Sequence, residues 1–308
     1  MAEYTKDYGP DGQASPVLEW IGALSRSGGK LYITPTLGSD VVVNGTFDAD
    51  TDWGTHTAWT ISGGIATAVN AEGTSYLRNI STVSVNTWYS GTVDATRTSG
   101  VLRMYVDDAG NMYSLYSTSG SFVFTGRSKA SSPGRPSAVG ANTFNGTVDN
   151  LVLKPLTLSS LFSSVSTSDA DVIADANVTL TAGTQAGLVL NLDSTASPAN
   201  FLIGYLDGTN FKLDKCVGGT YTNLITVATS GVASKLIQVI TYHSGTYLKV
   251  RCYVDNVMKG GEQTVADAGI VSNTKHGCFS TYASNTFDNF VIFARGTDGE
   301  YETALNAF

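Results

Sequence analysis

The sequence predicts an all-β protein made of two tandem β-sandwiches preceded by a short arm and helix. Three observations lead there. Charged residues are only 14% of the 308, and 33 are glycine, whereas helical bundles and coiled coils need Glu, Lys, Arg and Leu in quantity. Turn clusters recur at short intervals: Ser62-Gly63-Gly64, Glu72-Gly73, Ser99-Gly100, Asp108-Ala109-Gly110 and Ser119-Gly120. Between them, apolar and polar residues alternate with the period of half-buried strands. With 42% hydrophobic residues the chain can fill two cores, the number its length leads one to expect.

Residues 1–40 read as an N-terminal arm and anchoring helix. Gly9-Pro10 and Asp11-Gly12 mark turns. In SPVLEWIGALSRSGG, Ser15 suits an N-cap, Pro16 the first helical position, and Gly28 or Gly29 the end. Val17, Leu18, Ile21 and Leu24 form a stripe at helical spacing. That stripe must be buried, either on the chain's own first domain or on a neighbouring subunit or partner. Residues 41–156 carry the strands AWTI, GIATAVN, TVDATRT, VLRMYVD, SFVFT and TVDNLVL. Residues 157–296 carry DVIADANVTLT, AGLVLNLD, ANFLIGYLDG, FKLDKCV, SKLIQVITYH, YLKVRCYVDN and TFDNFVIFA. Residues 297–308 form a polar tail.

Composition also excludes functions. Eighteen basic against 26 acidic residues leave a net charge of −8, the wrong sign for a general nucleic-acid binder. No apolar run reaches the roughly 18 residues of a bilayer span, so no membrane insertion is expected. The first residues have neither a basic nor an apolar leader segment, and the chain is expected to fold where it is made. Cys216, Cys252 and Cys278 are odd in number and lack metal or disulfide spacing, so they read as buried free thiols. There is no GxSxG, HExxH or P-loop, and no strand carries the closely spaced acids of a sandwich glycosidase. The expected function is non-enzymatic.

Strand alternation sorts the faces. Tyr89, Gly91, Val93 and Ala95 fall on a core side, leaving Trp88, Ser90, Thr92 and Asp94 outside. In the next strand Leu102, Met104 and Val106 face in, and Arg103, Tyr105 and Asp107 face out. A flat ring beside Arg and Asp is what a sugar needs: the ring covers the C–H face, and the charged groups bond the hydroxyls. Trp88, Asp94, Arg103 and Tyr105, flanked by loop-borne Trp53, are therefore the candidate carbohydrate site. The other readings of the same face are cover by a loop or another chain, or idle surface. In the second unit Tyr247, Arg251 and Tyr253 line an outer row suited to a polar partner interface and equally compatible with ordinary solvated surface. Asp48 and Asp149 would be neighbours if first and last strands pair, and are candidate ligands of a structural Ca2+ ion; the alternative is that they cap turns.

The stretch VNGTFDADTDW, then AWTISGGIATA and the closing NGTVDNLVL, resembles the carbohydrate-binding-module jelly rolls of the galactose-binding-like type. In that family an Asn-Gly-x-Phe opening precedes a Trp and an Asp-Asn strand closes the sandwich. From about Leu158 to Arg295 the chain looks like the concanavalin A-like (laminin-G-like) sandwiches. Such pairs are similar to those of bacteriophage virion proteins of tail, fibre or capsid surface. The resemblance implies a virion protein, assembled in the host cytoplasm. Its N-terminal segment would bind other virion proteins, and its sandwiches would adhere weakly and multivalently to cell-surface or environmental glycans, as a homo-oligomer. The alternatives are a purely structural decoration or tail protein, and an accessory binding protein of a secreted polysaccharide-degrading system.

Overall fold

The computed structural model describes residues 20–22, 24–55, 57–73, 75–107, 112–129 and 135–294. Almost all regular structure among them is antiparallel strand; the only helices are the single turns Leu158–Leu161 and Ala268–Val271. The all-β prediction holds.

Two long strands, Trp88–Tyr105 and Ser137–Pro155, organise the first sandwich by pairing along most of their length. Both bend midway. Gly100 sits at φ +72°, where a Cβ would meet the Phe144 backbone at 2.4 Å, and Asn142 and Thr143 opposite also take positive φ. Left-handed backbone at facing positions lets the pair turn a corner and contribute to both layers. Before the bend, Trp88–Tyr105 pairs with Gly120–Arg127; beyond it, with Met112–Tyr116. The last strand takes Ile65–Ala71 and Tyr76–Asn79 as its other neighbours. Phe47, Trp53, Trp59, Tyr89, Phe124 and Phe144 fill the core between them.

The second sandwich has a seven-stranded sheet, centred on Lys275–Ser280, Ala186–Leu192 and Phe201–Leu206, and an eight-stranded sheet centred on Thr286–Ala294, Val172–Thr179, Lys235–Ser244 and Tyr247–Val254. Both sheets are completed by the start of the chain. Trp20–Gly22 pairs with Phe162–Ser166. Leu24–Ser27 and Lys30–Ile33 form a hairpin whose Leu31 pairs with Phe287. Over residues 20–22 and 24–28 this corrects the expected helix; its earlier residues lie outside the described ones. Gly28 and Gly29 stand at φ +56° and +79°, the left-handed pair of a two-residue type I′ hairpin turn, so they join strands instead of ending a helix. Of the predicted stripe, Leu24 packs on the core and Ile21 is 45% exposed. Val17 and Leu18 lie outside the described residues. Trp20, not in the stripe, packs on the core and stacks on Phe290 at 4.9 Å.

The first sandwich is thus inserted between strands of the second. Its two connections run side by side: Gly38 N–H donates to Pro155 O, Thr157 N–H to Thr36 O, and Thr36 N–H to Ser160 Oγ, all at 2.8–2.9 Å. A third apolar cluster joins the sandwiches. It arises because Ala186–Leu192 and Phe201–Leu206 are buried at every residue, so their sheet has an apolar outer face as well as an inner one.

The thiols of Cys216, Cys252 and Cys278 are free and buried. His276, fully buried, accepts the Asn191 amide at Nδ1 (3.2 Å) and donates from Nε2 to the Asp169 carbonyl (3.1 Å). Burial pulls its pKa down from 6.5 to about 4. The unfolded imidazole therefore takes up a proton that the folded one refuses. Its stabilising contribution is whole above about pH 6.5 and is lost as pH falls through about 4, on the order of 3 kcal/mol. Urea unfolding at pH 7 and pH 4.5 should show this loss in the wild type and a smaller one in His276→Gln.

Candidate functional site

The cleft between the sandwiches, about 970 Å³ in volume, gathers aromatic and charged side chains from both. Trp88 forms its floor. The ring stands on the outer side of its strand, as alternation predicts, yet is 3% exposed because it enters the apolar outer face of the seven-stranded sheet. Its Nε1 donates to the Tyr221 hydroxyl at 3.0 Å. Tyr205 and Tyr221 meet it edge-on at 6.1 and 6.2 Å, and Phe279 tilts against it at 5.3 Å. Burial drives the Tyr205 and Tyr221 phenols above their ordinary pKa, so both are neutral and act as hydrogen-bonding groups.

Arg127 locks the junction. Its guanidinium lies 3.8 Å from the Tyr221 ring centroid and 5.7 Å from that of Trp88, and pairs with Asp214 at 3.3 Å. Asp214 also accepts from Tyr205 Oη at 3.1 Å and Asn223 Nδ2 at 2.8 Å. A second buried knot holds the far side. Thr125 N–H donates to Gly183 O at 2.8 Å, and its hydroxyl meets Gln185 and Thr281. Gln185 Nε2 returns a bond to Thr125 O at 2.8 Å. Buried polar networks of this kind fix geometry, so the cleft walls are set by folding.

The rim is more open. Phe122 stacks on Tyr116 with centroids 3.9 Å apart, beside Ser121 and Lys129. Across from them Asp207 pairs with Lys212 at 2.8 Å and closes a tight Asx turn, accepting the Thr209 and Asn210 amides at 2.9 and 2.7 Å. Burial pushes the Asp207 carboxyl up, but Lys212 and Thr209 outweigh it, and the net shift is down. The Asp207 carboxylate is thus held in place by Lys212 and the turn amides, and the rim presents fixed hydrogen-bonding groups beside ring faces.

The residues singled out by sequence do not assemble into one site. Trp88 belongs to the cleft as architecture, covered by the chain's own second sandwich, so its ring face is not free for a sugar. Trp53 is 6% exposed, stacks on Phe47 at 4.7 Å and donates to Asn44 O at 2.9 Å; it is a core residue, not a loop flank. Asp94 is held below its ordinary pKa by the Ser121 hydroxyl and the Asn150 amide. Arg103 and Tyr105 lie beyond the Gly100 bend, where the strand pairs with Met112–Tyr116 and Ser137–Val139, and neither lines the cleft. The 44–48 loop does lie on the last strand through Leu151 N–H to Gly45 O at 2.9 Å. Asp48, however, is engaged by Thr46 and Asn44, and Asp149 stands opposite Asp94 and accepts the Asn150 amide. Among the described residues no three His, Cys, Asp or Glu side chains cluster as a metal site. In the second unit Tyr247 is 49% exposed. Arg251 is engaged with Glu262 at 2.8 Å and with the Tyr242 hydroxyl at 3.0 Å, and Tyr253 lies opposite Gln238. The cleft residues Phe122, Arg127, Tyr205, Asp207, Lys212 and Tyr221 escaped sequence reading. The available signal was the unbroken apolar run FLIGYL, which marks a strand covered on both faces.

By sequence, no protein family and no curated protein matches this chain. Among solved structures it is similar to the carbohydrate binding module CBM66 from Bacillus subtilis, with 17% identity over 43% of this chain and 81% of that one and a TM-score of 0.33. It is also similar to the GH43 BlXynB protein from Bacillus licheniformis, at 17% identity over 43% of this chain and 29% of that one, TM-score 0.33. A third likeness is to a 1,3-α-1,4-β-D-galactose-4-sulfate-3,6-anhydro-D-galactose 4 galactohydrolase, at 10% identity over 89% and 92% of the two chains, TM-score 0.24.

Proposed function

We propose that this chain is a non-enzymatic glycan-binding protein that holds a saccharide in the cleft between its sandwiches and works displayed in many copies on a virion surface. The observation that carries the binding reading is the rim itself: the Phe122–Tyr116 stack faces the Asp207–Lys212 pair across a preformed cleft. Ring faces accept sugar C–H groups, and the Lys212 ammonium, positioned by Asp207, donates to hydroxyls. Fixed walls lower the ordering cost of binding. A single such site binds weakly, and display in many copies raises avidity through effective concentration. Buried free thiols agree with assembly in a reducing compartment.

A glycan array probed with the whole chain should identify at least one bound saccharide. Phe122→Ala and Lys212→Ala should each weaken it roughly tenfold, about 1.4 kcal/mol. An array with no signal, or variants that bind undiminished, would refute the reading. Antibody against the chain should decorate purified virions in electron micrographs, and unlabelled virions refute the setting.

A further inference from the structure

Asn86 and Lys129 both line the cleft, on the wall that the first sandwich supplies. Ser128 ties their two segments together: its N–H donates to Thr87 O at 2.9 Å, and its hydroxyl accepts the Thr87 amide at 3.0 Å. Lys129 is held on both sides of its own main chain. Its N–H donates to Asp107 Oδ2 at 2.6 Å, and its carbonyl accepts the Asn86 N–H at 3.0 Å. Asn86 takes φ +53°, a left-handed conformation that asparagine tolerates better than most residues. Folding therefore fixes where both side chains start.

The side chains themselves are uncommitted. The other charged and amide groups that line the cleft are engaged: Arg127 with Asp214, Lys212 with Asp207, and Gln185 with Thr125. Among the described residues the Lys129 ammonium and the Asn86 carboxamide have no hydrogen bond or ion pair. Asp107, which takes the Lys129 backbone N–H, is fully buried and makes no ion pair with the ammonium. Half-buried Lys129 is thus the cleft's cation without an anion. An ammonium and a carboxamide supply only N–H donors and one carbonyl, and the charged donor calls for a charged acceptor. That acceptor is a carboxylate or a sulfate.

We propose that the cleft is built for an acidic saccharide, whose carboxylate or sulfate group is held by Lys129 Nζ and Asn86 Nδ2 while its sugar body lies on the Phe122–Tyr116 stack. This names the ligand class of the cleft and rests on the glycan-binding reading above. The volume of about 970 Å³ is at the upper end of the roughly 300–1,000 Å³ usual for small-molecule sites, so sugar body and acid group fit in it together. Lys129 sets specificity because its ammonium gains an ionic partner from an acidic sugar and none from a neutral one.

The test is a glycan array that pairs neutral saccharides with their carboxylated and sulfated counterparts, probed with the whole chain as wild type, Lys129→Met, Lys129→Arg, Asn86→Asp and Phe122→Ala. The wild type should favour at least one acidic member over its neutral counterpart by roughly tenfold or more, the scale of a hydrogen bond to a charged group. Whether the carboxylated or the sulfated set is favoured identifies the acid, and either supports the proposal. Lys129→Met should bring the ratio close to one. Asn86→Asp suits the same backbone conformation but places a carboxylate beside Lys129, and should bring it to one or below. Lys129→Arg should keep the preference, and Phe122→Ala should weaken both members alike. Lys129→Met and Asn86→Asp should melt with the wild type, since neither side chain has a partner in the fold, so a lost preference is not a lost fold. If acidic and neutral members bind the wild type alike, the proposal is overturned and the glycan-binding reading stands. A preference that survives in both Lys129→Met and Asn86→Asp overturns it as well, because the acid is then held elsewhere. If no saccharide binds, the glycan-binding reading falls and takes this one with it.

Discussion

Replacing Trp88 with alanine is expected to destabilise the protein by roughly 3–5 kcal/mol, the usual cost of removing a large buried ring, and to uncouple the two sandwiches. The ring is the principal side chain that the first sandwich sends into the apolar face of the second, among Phe162, Val189, Phe201, Ile203, Tyr205 and Phe279. Its removal leaves a cavity lined from both sides, with the Tyr221 hydroxyl deprived of its donor. What remains of the junction is the Thr125–Gln185 knot, the Arg127–Asp214 pair and the paired connections, all polar. Scanning calorimetry should show one transition in the wild type and two in Trp88→Ala. Trp88→Phe separates the causes: it keeps most of the packing and loses only the N–H bond, so it should cost nearer 1 kcal/mol and keep one transition. A single, unshifted transition in Trp88→Ala would mean that the sandwiches are held without the ring.

The same residue shows how far sequence reasoning reaches. Period-two alternation puts Trp88 outside and Tyr89, Val93 and Ala95 inside, and the burial of those three agrees. The alternation of Leu248, Val250, Cys252 and Val254 is equally clear. Both follow from a local rule, the pleat. What covers Trp88 is not local: its hydrogen-bond partner Tyr221 is 133 residues away, and a ring on an outer face looks the same whether a sugar or a second domain awaits it. The discriminating signal was in the other partner, since AGLVLNL and FLIGYL have no polar side to give to water. The N-terminal segment failed for a related reason. Its stripe of Val17, Leu18, Ile21 and Leu24 fits a helix, but a segment that completes the edges of two sheets is governed by those edges, and tertiary pairing overrides local propensity. Gly28-Gly29 was the local clue, read as a stop when it is a turn.

Arg127→Met is expected to be nearly as damaging as loss of Trp88, at roughly 3 kcal/mol or more, because it strands the Asp214 charge at a buried junction. Asp214 is 1% exposed, whereas Arg127 keeps 20% of its side chain in contact with solvent. The two partners are therefore not equivalent. Asp214→Asn leaves a guanidinium that can still reach water and lie on the Tyr221 ring at 3.8 Å, and the amide can keep a bond from the Tyr205 hydroxyl. Its cost should fall well below that of Arg127→Met, nearer 1–2 kcal/mol. A buried pair removed whole is commonly less harmful than one removed by half, so Arg127→Met/Asp214→Asn should recover part of the loss. A double-mutant cycle by urea unfolding should give a coupling of about 2 kcal/mol. Equal costs for the two single variants, with no coupling, would mean that Arg127 holds the junction by its stacking on Tyr221 and Trp88 and that the ion pair is incidental. Because Arg127 and Asp214 come from different sandwiches, the coupling measures how firmly the cleft walls are fixed to one another before any ligand arrives.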